Sequence, residues 1–157
     1  MPIITKSRGF LTRLGRDRAG VAAVELALIA PVLTALVIPM VDLGIGAYDK
    51  MRIQNAAEAG AQYALANASS YDASSIQSAA TNATSLSGIT ATVGETCNCI
   101  TGSAIGTAVS CTTTCADGSK PGTYVSVSTN MSYSLLLSYP GLTNPMPLNG
   151  RAMVRIQ

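Results

Sequence analysis

Between Val21 and Tyr48 the chain reads VAAVELALIAPVLTALVIPMVDLGIGAY, an apolar run in which Glu25 and Asp42 are the only charges. A bilayer core is crossed by roughly 20 apolar residues in a helix, so the run predicts a transmembrane segment over 21–48. Pro31 and Pro39 inside it each remove a backbone donor and predict local bending that a membrane helix tolerates. The chain continues as DKMRIQNAAEAGAQYALANAS, free of proline and rich in helix formers, which predicts a projecting helix over 49–68. Together the two stretches would make a rod on the order of 70 Å. On the projecting half Ile53, Ala57, Gly60, Ala64 and Leu65 recur at helical intervals, and Gly60 and Ala64 form a small-residue pair that permits close approach of another backbone. Two destinations stay open for that face: the chain's own sheet, or a neighbouring subunit.

After residue 68 the pattern changes. Residues 69–120 are rich in Ser, Thr, Ala and Gly, and SSYDASSIQSAATNATSLSG reads as a weak helix or a loop. SGITATV predicts a short strand. Val125, Val127, Thr129, Met131, Tyr133 and Leu135 then alternate with Ser126, Ser128, Asn130, Ser132 and Ser134, the period-2 signature of a half-buried strand. Pro140, Pro145 and Pro147 argue against regular pairing in the next loop, and Ala152, Val154 and Ile156 alternate again as a last short strand. The fold class predicted is α+β: a long N-terminal helix, transmembrane and then projecting, packed on a small antiparallel sheet within an outer region over 69–157.

Charge separates the two ends of the chain. Residues 1–20 carry Lys6, Arg8, Arg13, Arg16 and Arg18 against Asp17, a balance of +4, which leaves −2 for the rest of a chain whose net charge is +2. A basic head before the run, with only Lys50 and Arg52 close behind it, predicts a cytoplasmic N-terminus and an outer domain on the far side. With 48% apolar and 11% charged residues the whole composition leans toward a membrane. Histidine is absent, so Ser/His/Asp triads, Cys/His dyads and HExxH metal sites are excluded. With no Trp and one Phe, base-stacking platforms are poorly supplied, and nucleic acid is not an expected partner. No residue pattern calls for a cofactor, and the expectation is a protein without enzymatic activity.

A carboxylate at the edge of a membrane run is costly and calls for a partner. If a peptidase cut between Gly20 and Val21, the new ammonium of Val21 and the carboxylate of Glu25 would stand one helical turn apart, able to pair within one helix or between neighbouring ones. A basic leader ending in Gly, followed by an apolar segment with Glu at its fifth position, resembles the type IV prepilin signal. More narrowly, RDRAGVAAVELALIAPVL followed by RIQNAAEAGAQYALA is similar to the TadE-like minor pilins, or pseudopilins, of bacterial tight-adherence (Tad/Flp) pili, and the ending YVSVSTNMSYSLL, LSYPGLTNPMPLNG, RAMVRIQ is similar to how such chains end.

The resemblance implies residues 1–20 as a leader, Gly20 as the prepilin-peptidase recognition residue, Val21 as the mature N-terminus and Glu25 as the assembly carboxylate. Val21 departs from the Phe or Met common in major type IV pilins. The implied partners are a prepilin peptidase, other Tad/Flp pilins and the inner-membrane assembly platform, with adhesion as the pathway's purpose. The competing expectation is an uncleaved single-pass inner-membrane anchor that presents a periplasmic binding or sensory domain. A secretory signal peptide fits less well, because Glu25 interrupts the run and the run outlasts an ordinary h-region.

Cys97, Cys99, Cys111 and Cys115 fall in the region predicted to face an oxidising compartment. Two disulfides would staple a domain whose core is small. A Cys97–Cys99 ring would be very tight, so each of these is expected to join Cys111 or Cys115, in an order the sequence leaves open. A four-thiolate zinc site is the rival, disfavoured by the C-x-C and C-x3-C spacings. Three Asn-x-Ser/Thr sequons, at Asn67, Asn82 and Asn130, are common accidents in Ser/Thr-rich chains and receive no function.

Overall fold

A computed structural model describes residues 19–102 and 104–157, so most of the predicted leader lies outside the described residues. The elements are α1 (Ala19–Ala66), α2 (Ala73–Asn82), β1 (Thr90–Thr101), β2 (Ala104–Val109), β3 (Gly122–Tyr133) and β4 (Met146–Arg155). The chain divides into two units, one ending at Val41 and one running from Asp42 to Gln157.

The first unit is the apolar part of α1. Helix continues through Pro31 and Pro39, which free the carbonyls of Ala27 and Ala35 from their usual partners. Among the described residues α1 is the one helix long and apolar enough to cross a membrane. Its large side chains, including Val24, Leu28, Val32, Leu36 and Met40, are exposed.

The second unit is α+β. Its four strands form an antiparallel sheet in the order β2-β1-β3-β4. The alternation predicted for β3 is found: Val125, Val127 and Thr129 are buried beneath the helices, while Ser126, Ser128 and Asn130 lie toward solvent. Register extends this across three strands, with Ala91 and Gly150 flanking Thr129, and Val93 and Ala152 flanking Val127. Onto these positions pack Ala61 and Ala64 of α1 and Ile76 and Ala80 of α2.

The segment that the sequence left between helix and loop is α2. Its start is set by Asp72, whose carboxylate accepts the amides of Ser74 at 3.2 Å and Ser75 at 3.0 Å and so caps the first turn. The hydroxyls of both serines also donate to it. These bonds, the Ser75 and Ser74 hydroxyls foremost, hold the Asp72 carboxyl down at about 2. Ile76 and Ala80, four residues apart, then provide the buried stripe.

Two features differ from expectation. β1 continues well past the predicted SGITATV segment and forms a hairpin with β2, an element that sequence periodicity did not reveal. β4 begins at Met146 and includes Pro147, which pairs with Ser132. Proline is compatible with pairing here because β4 is an edge strand whose outer side has no hydrogen-bonding neighbour.

Candidate functional site

Helix α1 carries Gly20, Val21 and Glu25 on its first turns, all exposed. A Cβ at Gly20 would meet nothing within 4 Å, so the local backbone is open to approach. Four residues of helix separate Val21 from Glu25, which places both on one face.

The small-residue face further along α1 is occupied. Ile53, Ala57, Gly60 and Ala64 are all buried within the second unit. A Cβ on Gly60 would fall 2.9 Å from the Cβ of Ala80 and 3.0 Å from Cγ1 of Val127, so its missing side chain is what lets α1 meet α2 and β3. Of the two destinations open for this face, the structure shows the chain's own sheet. Leu65, in the same series, is exposed. The closest seam lies about two turns earlier: Thr129 Oγ1 donates to the carbonyl of Ile53 at 2.9 Å, and a Cβ on Gly150 would sit 2.6 Å from that same oxygen.

Asp42, one of the two acids in the apolar run, is fully buried in the second unit. Its carboxylate accepts three hydrogen bonds: from the Tyr133 hydroxyl at 2.9 Å, the backbone amide of Leu136 at 2.9 Å and the Tyr139 hydroxyl at 3.1 Å. All three donors come from the end of β3 and the loop after it. Burial, and then hydrogen bonding to Asp42, push the phenols of Tyr133 and Tyr139 above their ordinary range. Gly46, one turn on, leaves room for the Tyr133 ring, whose Cε1 would lie 3.3 Å from a Cβ there. Asparagine closes the same loop on itself, since Asn144 Oδ1 accepts the Leu135 amide at 3.1 Å and its Nδ2 donates to the Leu135 carbonyl at 3.2 Å.

This clasp escaped the reading of the sequence. The signal was phase: 42, 46, 49 and 53 step by four, three and four residues, continuing the buried face of α1 upstream of Ile53. An acid on that stripe is in register with the sheet side of the helix.

The four cysteines are joined as Cys97–Cys111 and Cys99–Cys115, with Cα separations of 5.1 and 5.7 Å. Both bonds tie the β1–β2 hairpin to the segment beyond it. Sulfur committed in this way is not available as zinc-binding thiolate.

The helix that carries the exposed Gly20 and Glu25 has a family match. Residues 20–62 match the family model of the TadE-like proteins. The TadE-like stretch thus contains Gly20, Val21, Glu25, Asp42, Gly46, Ile53 and Gly60, whereas α2, the disulfides and the whole sheet lie beyond it. No curated protein and no solved structure matches the chain. Involvement in a Tad pilus system is the function this family suggests.

Proposed function

We propose that this protein is a prepilin-type minor pilin or pseudopilin, cut after Gly20, that takes part in assembling a Tad/Flp pilus used in adhesion. It acts by packing and not by catalysis. The observation that carries this is a convergence at one position: the TadE-like match begins at Gly20, the apolar run begins at Val21, and an exposed carboxylate follows one turn later at Glu25.

In the precursor the basic leader stays in the cytoplasm, residues from Val21 lie in the inner membrane, and the disulfide-bonded unit stands on the periplasmic side. The peptidase frees the Val21 ammonium. When α1 leaves lipid for a bundle of pilin helices, that ammonium and a Glu25 carboxylate neutralise each other where an unpaired charge would be costly. The face of α1 offered to other pilins is the exposed stretch before Asp42, because the face further on already covers its own sheet.

Co-purification of the full chain with the other pilins from cells tests this. A Glu25→Gln variant is expected to be processed and membrane-inserted but to lose most of its recovery with them, while Glu58→Gln, on the folded unit, is recovered normally. Equal recovery of Glu25→Gln and the unaltered chain would contradict the assembly role.

A further inference from the structure

The loop between β3 and β4 is unlike an ordinary surface loop. Its twelve residues, 134–145, read SLLLSYPGLTNP and carry no charge. Leu135 is buried, but Leu136 is 72% exposed, the most exposed large hydrophobic residue among those described in the second unit, and Leu137 and Leu142 of the same loop are exposed too. Solvent-facing leucines in a charge-free loop are a standing cost unless something apolar receives them.

The loop's position names the receiver. Asp42 fastens it through the Leu136 amide and the Tyr139 hydroxyl, and Asp42 is the first residue of the folded unit, next in sequence to Val41. From Val21 to Val41 a helix extends roughly 30 Å, the thickness of a bilayer core, so Asp42 falls at the lipid–water boundary. Tyr133 and Tyr139 lie at the same place, their hydroxyls bonded to the Asp42 carboxylate.

We infer that the 134–145 loop is a second membrane contact, with Leu136, Leu137 and Leu142 inserted into the interface of the leaflet that faces the folded unit, and with Asp42 holding the loop at that height. Before assembly this contact anchors the outer unit to the bilayer surface at a second point. It rests on the reading of the apolar run as membrane-spanning, with the span taken to end at Val41, where the first unit ends, and not at Tyr48.

The chain contains no Trp, so a single introduced one reports its own surroundings. Full-length protein carrying Leu136→Trp, Leu33→Trp or Ile105→Trp is reconstituted in phosphatidylcholine–phosphatidylglycerol vesicles, with and without brominated acyl chains. Ile105 is the control because it lies by the β1–β2 turn, at the opposite end of β1 from Thr90, which pairs beside the loop at Asn130.

The inference predicts that Leu136→Trp loses most of its emission to bromine near the headgroups and is shielded from aqueous acrylamide, with the reverse for Ile105→Trp. Acrylamide quenching of Leu136→Trp equal to that of Ile105→Trp would overturn it. So would shielding without bromine quenching, which would mean that protein covers the loop. Leu33→Trp separates the two layers: quenching there but not at Leu136 sinks the loop contact alone, and no quenching at Leu33 sinks the membrane-spanning reading along with it.

Discussion

The carboxylate of Asp42 and the backbone amide of Leu136, 94 residues apart in the chain, meet at 2.9 Å in the interior of the second unit. One acid of α1 thereby fixes the start of the twelve-residue loop between β3 and β4. Without it, the Leu136 amide and the Tyr139 hydroxyl lose this acceptor, and the Tyr133 hydroxyl keeps only the Asp42 carbonyl at 3.2 Å.

Asp42→Ala should therefore release the loop. We expect faster proteolysis between residues 134 and 145, and tyrosinate titration of Tyr133 and Tyr139 closer to the ordinary value of about 10. Asp42→Asn keeps an acceptor and should show a smaller effect of both kinds. Ultraviolet titration of the six tyrosines, repeated with Tyr139→Phe, assigns the shifted groups. In the unaltered protein the raised phenol values stabilise the fold below about pH 10, and that contribution is lost as pH rises through the folded-state values.

The helix–sheet seam makes a second prediction. Gly60→Val would drive its side chain into Ala80 and Val127 and should destabilise the folded unit by about 1–3 kcal/mol in denaturant melts. Gly150→Ala, aimed at the Ile53 carbonyl, should cost a similar amount. A Gly60→Val protein with unchanged stability and impaired association would instead place that face between subunits.

The disulfide pairing is separable by thiol counting. Cys97→Ser with Cys111→Ser removes one bond and should leave no free thiol, at a stability cost of about 3 kcal/mol for a loop of this size. Cys97→Ser with Cys115→Ser should expose two thiols, at Cys99 and Cys111.

Acid titration probes the cap of α2. With its folded-state value near 2 against an ordinary 3.8, Asp72 supports the fold above about pH 4, and that support fades as pH falls toward 2. Asp72→Asn retains cap acceptors without the titrating charge, so its melting temperature should fall less steeply over that interval.

Periodicity disclosed the elements with one strong face. The apolar run was legible by its length alone, whereas the alternation of Val125 to Leu135 and the Ile53–Gly60 stripe reflect burial on a fixed repeat, and the α+β architecture followed from them. The elements it hid lack such a face. The exposed edge strand β2 has no fully buried residue among those described, and α2 depends on Ile76, Ala80 and a cap. Pro147 misled because edge pairing was not foreseeable before the strand order was known. Asp42 was hidden for another reason: an acid within an apolar run looks like a membrane problem, and its three partners lie more than 90 residues away.

The central claim is processing at Gly20, and N-terminal sequencing of the protein recovered from membranes, with and without an active prepilin peptidase, tests it most directly. A start at Val21 that requires the peptidase is the predicted result. An N-terminus at Met1 under both conditions would contradict the pilin-type account and leave an uncleaved anchor carrying a disulfide-bonded outer domain.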